Sequence, residues 1–187
     1  PLPDGKGVGF ITTALAQDTV VVGPGSVDLW IKSSAADTDL EVTISEVRAD
    51  GTEIYVQSGW LRASQRALDE SGSTPLRPAH TNLEADAADL PADEFTAVRV
   101  ELFPFAHPFR AGSRIRLTID APGNNRPVWE FRTISAGETV TIAYDADHPS
   151  QLVLSVVPVA VGAPAPAACG ALRGQPCRDY VAAANGG

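Results

Sequence analysis

The chain has 187 residues, 44% of them hydrophobic and 20% charged; this suits one β-rich domain with tails and excludes a disordered or fibrous protein. A net charge of −9 with only 14 scattered basic residues repels phosphate backbones, so no nucleic-acid partner is expected. The longest apolar stretch, Leu152–Gly162, is broken by Ser155 and Pro158 and is too short to span a bilayer, so no membrane partner is expected either.

The chain contains no Met and opens on Pro1-Leu2-Pro3-Asp4 without a basic-then-apolar leader, which reads as a piece of something longer. Alternation of apolar and polar residues then predicts strands in order. Thr19–Val22 is a short strand. Gly23-Pro24-Gly25-Ser26 reads as a turn, and Val27, Leu29 and Ile31 alternate with Asp28, Trp30 and Lys32. Leu40, Val42 and Ile44 form the next apolar face, followed by Ile54, Val56 and Ser58. Val98, Val100 and Leu102 share a face within 95–103, and Ile115, Leu117 and Ile119 alternate with Arg114, Arg116 and Thr118. Val140, Ile142 and Tyr144, then Leu152, Leu154 and Val156, close the series. Eight or nine short strands with Gly and Pro punctuation, and at most one helical turn over 65–71, predict an all-β jelly-roll sandwich of two antiparallel sheets.

The Asp50-Gly51 pair sets a hairpin register. Paired numbers summing to 100 place Leu40, Val42 and Ile44 on one face with Ile54, Val56 and Trp60, pair Ile44 with Val56, and leave a three-residue loop, Ala49-Asp50-Gly51. Gly51 then supplies the left-handed conformation such loops need. The stretch 69–93 holds four Pro or Gly residues and six acids with little alternation, so it is expected to cross over the surface as either a functional or a merely wrapping loop. After Pro158 the sequence turns to Ala, Gly and Pro. The expected division is a sandwich domain at 1–158 and a tail at 159–187.

No Gly-x-Ser-x-Gly elbow is present, and Gly23-Pro24-Gly25-Ser26 precedes a strand rather than a helix. His80, His107 and His148 stand apart and read as surface or loop residues, so no catalytic residue is assigned. Asp37 and Asp39 are spaced to point two carboxylates the same way, as calcium sites need, but capping of backbone amides is the simpler reading. No zinc-ligand spacing occurs; neither a metal nor a cofactor is expected.

Arg62 and Arg66 flank the same hairpin as Asp37 and Asp39. In the even register Asp39 faces Leu61, and only a bulge brings it to Arg62, so the arginines read as exposed strand-end charges or as interdomain contacts. Trp30, Trp60 and Trp129 raise the alternative of a carbohydrate-binding module. Trp60 is expected in the core; Trp30 points away from it and marks a surface covered by another domain. Cys169 and Cys177 enclose seven residues of a polar tail, which predicts a disulfide and a secreted or extracytoplasmic setting.

The runs GPGSVDLW (23–30), SSAADTDL (33–40), EVRADG (46–51), GWLRASQR (59–66), PFRAGSRI (108–115) and His148-Pro149-Ser150 together resemble the C-terminal domain of cocaine esterase and X-Pro dipeptidyl-peptidase hydrolases, the CocE/NonD group, over about residues 10–158. The resemblance implies a galactose-binding-domain-like jelly roll packed on an upstream α/β-hydrolase domain, with the catalytic Ser, Asp and His in that upstream part. It implies a non-catalytic role for this chain, with Trp30, Asp37, Asp39, Arg62 and Arg66 as interdomain or binding candidates.

Overall fold

A computed structural model describes residues 6–123, 132–134, 136–158, 162–171 and 175–183. Nine strands lie among the described residues: β1 (Gly7–Ile11), β2 (Thr19–Ser33), β3 (Asp39–Val47), β4 (Thr52–Arg62), β5 (Thr96–Phe109), β6 (Arg114–Asp120), β7 (Val140–Ala143), β8 (Gln151–Val156) and β9 (Cys177–Asp179). They form the expected antiparallel sandwich. One sheet runs β1-β6-β3-β4-β9; the other runs β5-β2-β7, with β8 also paired to β2.

The alternating aliphatic residues fill the space between the sheets. Val27, Leu29 and Ile31 of β2, Leu40, Val42 and Ile44 of β3, Val98, Val100 and Leu102 of β5, and Ile115, Leu117 and Ile119 of β6 all belong to one buried cluster. Short strands with one apolar face gain stability only by pressing that face against another, which makes the two-layer arrangement the natural outcome.

Gly23-Pro24-Gly25 is a bulge inside a single 15-residue β2, not a turn before a shorter strand. Pro24 has no N–H to give to the ladder, so the β5 register shifts between Gly23 and Gly25, and Gly23 takes φ +124°. Ser26 is fully buried and its hydroxyl donates to Asp28.

The β3–β4 hairpin keeps the predicted register only near its loop. Ser45 pairs with Tyr55 and Val47 with Glu53, Arg48 N–H donates to Thr52 O at 2.8 Å, and Gly51 has φ +84°. Beyond Ile44 a bulge leaves Val56 unpaired, so Ile44 pairs with Gln57 rather than Val56. Both Val56 and Leu61 stay in the core cluster. One extra residue reverses the faces of the remaining strand. Trp60 therefore lies opposite Glu41, not Leu40, and packs its half-buried ring on Phe103 outside the core. The helical turn expected over 65–71 is a 3-10 turn at Ala63–Gln65.

The crossover wraps the molecule. Leu90 enters the core cluster, and Arg99, paired to Asp28 at 2.9 Å, donates to the carbonyls of Thr74 (3.1 Å) and Pro75 (2.8 Å). The tail returns to the first sheet, where β9 pairs with β4 over Thr52–Ile54 and covers its free edge. Cys169 and Cys177 form a disulfide with a Cα–Cα distance of 5.7 Å. No helix among the described residues is long and apolar enough to cross a membrane.

Candidate interdomain site

Four of the five candidate residues gather where β3 begins and β4 ends. Asp37 precedes β3, and its Oδ1 accepts the N–H groups of Thr38 (2.9 Å) and Ser64 (2.8 Å). This is the amide capping expected for an Asp where a loop meets a strand. Asp39 faces Arg62 directly because of the Val56 bulge, and the guanidinium grips it with two bonds, Nε to Oδ1 at 2.9 Å and Nη2 to Oδ2 at 3.1 Å. Arg62 is thus an exposed residue at the end of β4, as expected, but it is paired with Asp39, which the even register sets opposite Leu61. Its parallel N–H donors fit a carboxylate fork, which a lysine cannot match.

The pair also reaches other segments. Asp39 Oδ2 accepts from Ile134 N–H at 2.8 Å, and Arg62 Nη2 donates to Arg132 O at 3.2 Å. Burial alone would raise the Asp39 carboxyl, but the Arg62 and Ile134 donors outweigh it and hold the group below the ordinary carboxylate range. Arg66 serves the crossover in the same way: its guanidinium donates to the carbonyls of Ala63 (3.1 Å), Ala88 and Asp89 (3.1 Å). Thr38 Oγ1 donates to Glu138 at 2.6 Å, and Ser34 N–H to Thr139 O at 3.0 Å. Four loops are thus fastened into one surface at one end of the sandwich.

Trp30 stands on the outer face of β2 near that end, as its parity required. Its half-buried ring meets His148 edge-on at 5.2 Å, and the backbone N–H of Trp30 donates to Ser150 Oγ at 2.9 Å. Phe95 also packs on His148, at 4.8 Å between ring centres, with Lys32 Nζ 5.2 Å from the Phe95 ring centre. Trp30 and Trp60 lie on outward faces of different sheets. They therefore make no common stacking platform, and Trp129 lies outside the described residues.

His107 is not a surface residue. It is 5% exposed on β5, with Nε2 3.0 Å from Glu46 Oε2. Glu46, fully buried, also accepts from Arg110 N–H (3.2 Å) and Arg110 Nη1 (3.3 Å). Burial would raise its carboxyl; the His107, Ser113 and Arg110 donors instead hold it low. A second buried acid, Glu53, accepts from Ser45 (2.6 Å), Arg116 (3.0 and 2.9 Å) and Arg178 (2.9 Å), and is likewise held low against its burial. The signal for Glu46 was its parity with Leu40, Val42 and Ile44. Nothing local marked Glu53, whose partners come from β3, β6 and the tail. Among the described residues no group of three His, Cys, Asp or Glu side chains is placed to hold a metal ion.

Residues 2–153 match the X-Pro dipeptidyl-peptidase C-terminal non-catalytic domain. The chain belongs to that family. All five candidates lie within the region of this non-catalytic domain, whereas Cys169 and Cys177 lie beyond it. A solved CocE/NonD family hydrolase from Staphylococcus aureus is 27% identical, with a TM-score of 0.70 over 81% of this chain and 30% of the hydrolase. The fold is shared with an α-amino acid ester hydrolase (17% identity, TM-score 0.59, 81% of this chain and 26% of that one). It is shared also with an aminopeptidase from a marine sediment Thaumarchaeota archaeon (16% identity, TM-score 0.60, with the same coverage). The chain thus spans less than a third of the length of these proteins. Among curated proteins, none matches the sequence.

Proposed function

We infer that this chain is the non-catalytic C-terminal part of a CocE/NonD-like serine hydrolase, an X-Pro dipeptidyl-peptidase or acyl-ester hydrolase. In this reading the sandwich of residues 1–158 packs on an upstream α/β-hydrolase domain and helps shape its substrate pocket, while residues 159–187 form a tail whose β9 pairs with β4. The chain itself supplies no nucleophile.

One observation carries the choice of docking surface. β1 starts with Gly7 opposite Asp120, and Asp120 lies opposite Glu41, two residues from Asp39. The start of β1 at Gly7 therefore lies at the end of the sandwich fastened by Asp37, Asp39, Arg62 and Arg66. A rigid, hydrogen-bonded loop surface beside the start of β1 suits an intramolecular interface, where short linkage raises the effective concentration of the two partners. The Cys169–Cys177 bridge supports an oxidising, extracytoplasmic location; alkylation with mass spectrometry on material from intact cells tests it.

The experiment compares amide exchange in the full-length parent with exchange in this chain. Protection added over 34–38, 62–66, 84–91 and the Trp30 strand supports the reading; protection confined to the opposite end overturns the docking surface. Turnover of p-nitrophenyl esters by the purified chain overturns the non-catalytic assignment.

A further inference from the structure

The two long edges of the sandwich differ. At one, β4 and β5 touch backbone to backbone, with Gly59 against the Glu101 carbonyl. At the other, β1 of the first sheet and β7–β8 of the second stand apart, and a recess of about 390 Å³ opens between them. We propose that this recess is a binding site for a small uncharged hydrocarbon group, such as a medium-length alkyl chain.

Its chemistry selects that class. Leu29, Ile142 and Leu152 line it from one sheet and Ile115, Leu117 and Ile119 from the other. None of its described lining residues is charged. Three polar side chains at its rim are already engaged, leaving the Tyr144 hydroxyl at the exposed mouth: Thr12 Oγ1 accepts from Ile115 N–H at 3.0 Å, Ser150 Oγ accepts from the backbone N–H of Trp30 and donates to Ala143 O, and Gln151 Nε2 donates to Asp28 at 3.1 Å. An ion or an inserted peptide would give up water without finding replacement hydrogen bonds. A hydrocarbon loses nothing by leaving water, and the volume falls within the range of about 300–1,000 Å³ common for small-molecule sites.

The mouth has a movable cover. Tyr144, 70% exposed just beyond β7, meets Phe10 of β1 edge-on at 5.6 Å, so one aromatic contact spans the gap between the sheets. Rotating this exposed tyrosine breaks the ring contact with Phe10 and opens the mouth without unpairing a strand, since Tyr144 lies outside β7.

The test titrates N-phenyl-1-naphthylamine, an uncharged apolar fluorophore, into the full chain. The expected result is a blue-shifted signal saturating at one probe per chain and competed by decyl acetate but not by sodium acetate. Leu117→Trp and Ile142→Phe, filling the recess from opposite sheets, should each weaken binding at least tenfold at unchanged circular dichroism. If both filling variants fail to fold, Tyr144→Ala decides: faster probe release supports the site, unchanged release overturns it. A wild-type chain without saturable binding, binding unaltered in folded filling variants, or a probe signal that tracks a dimer–monomer equilibrium also overturns it.

Discussion

Gly59 and Glu101 close one side of the sandwich: a Cβ on Gly59 would stand 1.8 Å from the Glu101 carbonyl oxygen and 2.8 Å from its carbonyl carbon. The obstacle is backbone of a strand held along its length by β2, so it cannot swing aside as a side-chain tip would. Gly59→Ala is expected to destabilise the chain by about 3 kcal/mol or more, at or beyond the upper end for overpacked positions. Urea unfolding checks this, with Gly137→Ala as the control. Gly137 meets nothing within 4 Å, although its φ of +101° adds a backbone cost of its own.

The Asp39–Arg62 pair gives a second prediction. Arg62→Ala removes a bidentate partner, but the arginine side chain is 40% exposed, which lowers the expected cost to about 1 kcal/mol. Asp39→Ala should cost about 2 kcal/mol, because Ile134 N–H loses its acceptor as well. A double-mutant cycle should show coupling between the two. Independence of the two substitutions would mean that the pair contributes nothing.

Stability should fall with acid in two limbs. Burial depresses His80, overcoming its bond to Arg99 and the pull of Glu101, so the neutral ring contributes stability present above about pH 6.5 and lost as pH falls through its lower folded value. Glu46 and Glu53 are depressed by their donors despite burial. Their contribution is complete above about pH 4.3 and is lost below it, as the folded state too takes up protons. Melting temperature against pH should therefore decline gently below pH 6.5 and steeply below 4.3. His80→Asn should flatten the first limb, and Glu53→Gln should weaken the second.

The disulfide should hold the tail without governing the core. In the chain-entropy model so small a loop contributes about 2–3 kcal/mol, roughly a 30- to 150-fold change in an opening equilibrium. In Cys169→Ser/Cys177→Ser, exchange at Tyr180 N–H and Tyr55 N–H, which donate to Gly51 O (2.8 Å) and Pro176 O (3.0 Å), should accelerate by about that factor. Exchange at Val42 and Ile44 should not change. Equal acceleration at both places would mean that tail and core unfold together.

The sequence by itself determined which residues point inward. Alternation in β2, β3, β5 and β6 is a local property of extended backbone, and burying one face requires two layers; the Asp50-Gly51 turn is equally local. The tertiary structure decided the rest. A single extra residue at Val56 carries no mark in composition, yet it reversed the faces of Ser58 to Arg62, moved Trp60 outside and turned Arg62 onto Asp39. Arg66 and Glu53 find partners that are distant in the chain, on the crossover, on β6 and in the tail. Alternation also cannot say that one edge of the sandwich shuts on Gly59 while the other stays open, because that depends on how two twisted sheets approach. Such relationships belong to the packing of whole layers, and no window of neighbouring residues contains them.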